Sequence, residues 1–229
     1  MRRALLSTLL FALGCGEDGA SGPTVFELRI TNLTTGPVDG PSGSYDALFS
    51  PGWARVSETE PLFVVGELSE SRHEGLAERG DPSGFVGTDG VPYPEGVGIT
   101  YDSDPLLPGA TYTVRFEAEE TDSLSFASMY IPTNDVVLGA EAFSLFDAEG
   151  PVVGDVTDRV ALYDFGTEVN EAPGYGEGQP MRGSGGVEES VAIARVDGTD
   201  AQGHTYPSVA SLVRVELVRC ESLEVCAGI

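Results

Sequence analysis

Several stretches of this chain alternate apolar and polar residues with a period of two, which restricts them to strands with one buried face. Phe26, Leu28 and Ile30 alternate with Glu27, Arg29 and Thr31, and Tyr112, Val114, Phe116 and Ala118 alternate with Thr113, Arg115 and Glu117. After the polar turn Glu119 to Asp122 come Leu124, Phe126 and then Met129 to Ile131, so these two segments read as a central hairpin. Shorter strands are expected around Val160 and Leu162 and over Val191 to Val196. A long closing strand is expected over Val209 to Val218, with Val213, Val215 and Leu217 on one face and Arg214 and Glu216 on the other. The fold class this implies is all-β: an antiparallel β-sandwich of about eight strands with long loops and one short helix.

That helix is Glu67 to Arg79, where Leu68, Gly75 and Leu76 form a poor apolar stripe suited to a crossover. Between the strands lie Gly- and Pro-rich stretches, Thr34 to Pro61, Gly80 to Gly98 and Gly166 to Gly186. Loops of that length in a compact domain tend to be functional or elaborated. Trp53, the single tryptophan, falls in the first of them and with Phe49 suggests a lid over the core.

The N-terminus has the form of an export signal: Arg2 and Arg3, an apolar run from Ala4 to Leu13, then Gly14 and Cys15. The run is about half the ~20 residues that a membrane-spanning helix needs. Ala12-Leu13-Gly14-Cys15 approximates a lipobox, so residues 1–14 are expected to leave as a signal peptide and Cys15 to be lipidated. An ordinary secretory cleavage near Gly14 is the alternative. Residues 15–24 would then tether a single domain over 25–219, and 220–229 would form a C-terminal tail. Gly16 after the cysteine favours the outer membrane, with lipid as the only membrane attachment. Cys220 and Cys226 remain as an even pair that an oxidising envelope would join; free thiols are the alternative.

Acidic residues number 37 against 12 basic, a formal charge of −25. No basic patch exists to neutralise phosphates, so nucleic acid is excluded as a partner. Such acidity serves solubility, or else some carboxylates converge on a cation.

Three blocks carry a family resemblance: Phe26 to Thr34 (FELRITNLT), Leu124 to Gly139 (LSFASMYIPTNDVVLG) and Ala161 to Asn170 (ALYDFGTEVN). Together with Gly66 to Pro82 (GELSESRHEGLAERGDP), they resemble the spondin N-terminal domain as found in bacterial secreted proteins. The third block is similar in its order of aromatic, Asp, small residue, Gly, Thr and acidic residue, here Tyr163 to Glu168. Phe165 replaces the usual alanine, and Val136 stands where the animal proteins carry tryptophan, which weakens any transfer of their adhesive function. The resemblance implies a β-sandwich that binds one calcium ion in its loops and serves in adhesion or extracellular binding.

Calcium takes six to eight oxygen ligands in irregular geometry. The candidates are Asp135 and Asp164, then Glu168, with Asn134 and Asn170, which could meet if their strands end at one pole. Each could instead cap a turn through its own side chain. Asp102 with Asp104, Asp155 with Asp158, and Asp197 with Asp200 are expected to be solvated turns.

Catalysis finds little support. Only His73 and His204 are available, both expected at the surface, and no zinc-protease, nucleophile-elbow or phosphate-loop motif occurs. The chain is therefore read as a non-enzymatic module with a protein or glycan partner at the cell envelope. A metal-free structural lipoprotein and a glycan hydrolase working through paired carboxylates are the alternatives.

Overall fold

A computed structural model of the chain describes residues 22–86, 96–99, 105–183 and 185–226. The expected signal peptide, Cys15 and most of the tether lie outside the described residues, as do Asp102 and Asp104. Along the chain come strands β1 (Thr24–Asn32), β2 (Val38–Gly40), β3 (Gly43–Tyr45) and β4 (Phe49–Ser57), helix α1 (Ser71–Arg79) and strand β5 (Gly96–Ile99). Strands β6 (Thr111–Ala118) and β7 (Ser123–Tyr130) occupy the segments expected to pair as a hairpin, and β8 (Val136–Ser144) follows. The two-residue strands β9 (Phe146–Asp147), β10 (Gly150–Pro151) and β11 (Gly154–Asp155) precede β12 (Ala161–Asp164) and β13 (Ala194–Val196). Helix α2 (Val209–Leu212) and strand β14 (Val213–Cys220) complete the order.

These strands make two principal antiparallel sheets, one ordered β11-β14-β1-β6 and the other β13-β12-β8-β7-β4-β5. The fold is therefore all-β and sandwich-like, as its alternating segments require. β6 and β7, although consecutive, belong to opposite sheets, so their turn crosses the sandwich instead of closing a hairpin ladder. Phe26, Leu28 and Ile30 of β1, Val213, Val215 and Leu217 of β14, and Tyr112, Val114 and Phe116 of β6 form one wall of the core. Leu124, Phe126 and Tyr130 of β7 and Val136, Leu138 and Ala140 of β8 form the other. Side chains two apart share a face, so each wall is built from alternate residues.

The six-stranded sheet is covered on its second face as well. Trp53, Ala127, Val137, Ala161 and Tyr163 point there and pack with Leu76 and Ala77 of α1 and with Leu62, Phe63, Phe85, Phe165 and Ile193. Trp53 stacks on Phe85 with ring centroids 5.9 Å apart. It is thus a strand residue under a helical cover, while Phe49, expected as its companion, lies in the inter-sheet core. Gly52 of β4 and Gly139 of β8 flank β7 closely: a Cβ at either would collide with the carbonyl oxygen of Ala127 or Phe126.

α1 begins later than the expected Glu67, because the chain turns at Val65 and Gly66 and is then held by the Leu68–Ala192 bridge and the bond from Ile193 N–H to the Glu67 carbonyl. It stops at Gly80, whose left-handed φ of 64° lets its N–H bond back to the Leu76 carbonyl. His73 is not at the surface. It is buried, its Nδ1 accepts the Glu70 N–H at 3.0 Å, and its Nε2 therefore donates to the Leu62 carbonyl at 2.8 Å. Likewise the first four residues of the expected closing strand, Val209 to Leu212, turn as a helix and drop Leu212 into the core. Cys220 and Cys226 are disulfide-bonded, which ties the end of β14 to the tail. Among the described residues no helix is long and apolar enough to cross a membrane.

Candidate metal centre

The polar pole of the six-stranded sheet is built by two tight connections. β7 turns into β8 through Thr133, whose hydroxyl donates to the Tyr130 carbonyl at 2.6 Å and accepts the Val136 N–H at 3.2 Å. That clamp buries Asn134 and Asp135 completely, at 0 % exposure each. β12 pairs with β8 so that its last residue, Asp164, lies opposite Val136. The two expected aspartates therefore end at the same pole, Asp135 in the turn before β8 and Asp164 at the exit of β12.

The segment after β12 wraps back over this turn. Asp135 Oδ2 accepts the backbone N–H groups of Thr167 at 2.7 Å and Glu168 at 3.0 Å, and the Thr167 hydroxyl at 3.3 Å. Its Oδ1 is buried and has no hydrogen-bond partner. Asp164 accepts from the Gly166 N–H at 2.8 Å through Oδ1 and from Asn170 Nδ2 at 2.6 Å through Oδ2. Asn170, buried, presents a second oxygen without a donor, its Oδ1. Buried oxygens are nearly always paired, so orphans on two residues that both act with Asp164 call for an explanation.

Electrostatics sharpens the point. Burial pushes the Asp135 carboxyl up to about 7, the charge of Asp164 and more weakly that of Glu189 add to the rise, and the two backbone N–H groups oppose it. Asp164 is also raised, first by burial and then by Asp200, against the pull of Gly166 N–H and Asn170. No basic side chain enters either balance. A group in this state binds a proton or a cation.

The other two candidates serve a different bond set. Glu168 accepts the Gly186 N–H at 2.8 Å through Oε1 and meets Asn134 Nδ2 at 3.3 Å through Oε2. Asn134 also reaches Glu171 Oε2 at 3.2 Å and accepts the Glu171 N–H at 3.1 Å. Both residues are buried and brace the chain around Glu171 and Gly186; of the five expected ligands only Asp135 and Asn170 carry a donor-free oxygen, as Glu78 and Gln179 also do elsewhere.

Two neighbours carry no signal in the sequence. Asp200, expected in a solvated turn, accepts the Tyr206 hydroxyl and the His204 N–H, each at 2.8 Å, and its charge acts on Asp164. His204 Nε2 lies 3.2 Å from the Asn170 carbonyl oxygen. Glu189 arrives on a segment that pairs with residues 166–169, through the Glu189 N–H to Thr167 carbonyl bond at 2.9 Å. Only the register of that long-range pairing could have revealed it. Asp155, by contrast, is exposed as expected, although it ends the two-residue strand β11, and it caps the Thr157 N–H at 2.9 Å.

Among the described residues, the one group of three Asp, Glu, His or Cys side chains close enough to share an ion is Glu27 with Cys220 and Cys226. Those sulfurs are bonded to each other and offer no thiolate. A cation at the polar pole would thus be held by a pair of carboxylates with amide, hydroxyl or carbonyl oxygens, a donor set that suits calcium and not zinc. No protein-family model matches the chain, and no curated protein matches it.

Proposed function

We propose that this chain is an exported envelope lipoprotein, anchored through an acylated Cys15, whose spondin-like sandwich is a non-catalytic binding module that holds one calcium ion. The observation that most supports the metal is the pair of buried oxygens without donors, Asp135 Oδ1 and Asn170 Oδ1, beside the Asp164 carboxylate. Asp135, Asp164 and Asn170 would hold the ion directly. Glu168 and Asn134 would brace the loop that closes over it. The ion would supply charge neutralisation, joining the β7–β8 turn to the segment after β12. The reading for adhesion rests on the family resemblance together with strong acidity, which favours protein or glycan partners over nucleic acid.

The test is thermal melting of the purified mature chain in chelator and across a calcium titration, with magnesium as control. A ligand bound only by the folded state adds about 2.7 kcal/mol at a hundredfold over its dissociation constant. For a domain of this size that raises the midpoint by about 5–10 °C. Asp135→Asn should abolish the rise. A midpoint indifferent to calcium in the unaltered chain overturns the metal. Release of Cys15→Ala protein from the membrane fraction checks the anchor, and retention there overturns it.

A further inference from the structure

His73 sits at the head of α1 with both ring nitrogens committed. Its Nδ1 accepts the N–H of Glu70, the residue that caps the helix, at 3.0 Å, and its Nε2 donates to the Leu62 carbonyl at 2.8 Å. Only the neutral ring can do both, because imidazolium carries two donors and no acceptor. The ring is buried against Phe85 and Phe165, each 5.8 Å away between centroids. The charged groups beside it are Arg72 and Glu70, which pair with each other at 2.9 Å. The segments that meet the ring from outside α1 bring a backbone carbonyl and two phenyl rings and, among the described residues, no charge. A second proton would leave the Leu62 bond in place and destroy the other: two N–H groups would face each other, and a full charge would be held out of water. Burial accordingly lowers the pKa of this histidine from its ordinary 6.5.

What His73 fastens is separable from the rest of the core. Leu76 and Ala77 of α1 and Phe85 of the turn Pro82–Phe85 pack with Trp53, Ala127 and Val137 on the outer face of the six-stranded sheet. Phe26, Phe126 and Val215, between the two sheets, belong to a different cluster. A cover with its own small cluster can open without global unfolding.

We infer that His73 is an acid-sensitive latch: a proton on Nδ1 breaks the bond at the head of α1, so that the helical cover lifts from the six-stranded sheet while the core between the sheets stays folded. Once released, the ring takes its proton more readily than it does in place. The latch therefore holds in full above about pH 6.5 and weakens as pH falls below that, towards the lower folded value.

Urea unfolding of the mature chain in chelator, followed by Trp53 emission for the cover and by far-UV circular dichroism for the strands, tests it. Trp53 is the single tryptophan, is 5 % exposed and stacks on Phe85, so its emission reports the cover. The two midpoints should coincide at about pH 7.5, whereas at about pH 5 the Trp53 midpoint should come first. His73→Gln keeps an acceptor for the Glu70 N–H and cannot titrate, so its midpoints should coincide at both. Asp135 titrates in the same range, but both proteins carry it. Hydrogen exchange needs only the unaltered chain and decides the matter even if His73→Gln does not fold. Protection at the Ala77 and Gly80 amides should fall about tenfold between about pH 7 and pH 5 relative to that at Leu28 and Ile30 of β1. Coincident midpoints at acid pH in the unaltered chain, protection that falls equally in α1 and β1, or an early Trp53 transition that persists in His73→Gln would each overturn the latch.

Discussion

Two buried carboxylates in this molecule have opposite surroundings. Glu27, on the outer face of β1, accepts from Arg29 at 2.6 Å through Oε1 and from Arg115 at 2.6 Å through Oε2. Burial works to raise its pKa, but the two guanidinium groups outweigh it and hold the carboxyl below its usual value. Asp135 is buried with no cation near it and is pushed up to about 7. Burial alone is therefore a poor guide to function. A buried acid whose charge is answered within the fold is structural, whereas one left unanswered is poised to take something from outside.

The largest expected effect breaks the satisfied side of this comparison. Glu27→Ala leaves two arginines facing each other across β1 and β6, and should cost about 2–4 kcal/mol, less than a fully buried pair because both arginines reach solvent. Chemical denaturation should show the loss equally with and without calcium. Asp135→Asn should do the reverse in chelator: it removes an unanswered buried charge, keeps an oxygen for Thr167 and Glu168, and raises the midpoint by about 2–6 °C. A fall in the midpoint would mean that the carboxylate is satisfied in the free protein.

The pH dependence of stability separates the two acids further. Asp135 binds its proton more tightly folded than unfolded, so between its ordinary value of 3.8 and about 7 the folded state carries the extra proton. Its contribution is therefore neutral below that window and becomes unfavourable as pH rises through it. The stability gap between Asp135→Asn and the unaltered chain, in chelator, should open across pH 4 to 7 and then level off. Calcium must displace the same proton, so its affinity should climb up to about pH 7 and flatten above, as calorimetry would show. Glu27 behaves oppositely: its stabilisation is present above its ordinary value of 4.5 and is lost as pH falls below that value through its lower folded pKa. The smallest effect belongs to Asp155, an exposed acid that caps the Thr157 N–H. Asp155→Ala should move the midpoint by about a degree and leave calcium binding untouched.

The same contrast between one answered face and two explains which strands were readable. β1, β6 and β14 show their apolar side chains on alternate residues because only one face of their sheet meets the core. β4 and β8 sit in a sheet covered on both faces, so Phe49–Ser57 is buried almost throughout and Val136 to Ala140 are buried in succession. A strand buried on both sides loses its alternation, so β8 shows no period-two signal, and β4, with Pro51 and Gly52, reads as loop. His73 was misplaced for a related reason: its charged neighbours in α1 face solvent while its ring is turned inward onto Phe85 and Phe165.

Asp135 and Asp164 could be nominated from the amino-acid order because each follows a strand-like segment in a recognisable block. Glu189 and Asp200 could not, since nothing local distinguishes them from the other acids of the chain.

The sequence by itself determined the all-β class, the alternating strands of the four-stranded sheet, Cys220 and Cys226 as candidates for a bond, and a strongly acidic composition. These follow from local periodicity and composition, which need no knowledge of neighbours. Tertiary structure decided which faces are doubly covered, where His73 points, and which buried acid meets a base. Desolvation and the sign of the nearest charge are set through space by strands that pair far apart in the chain. For that reason Glu27 and Asp135, both buried acids, end with opposite electrostatics.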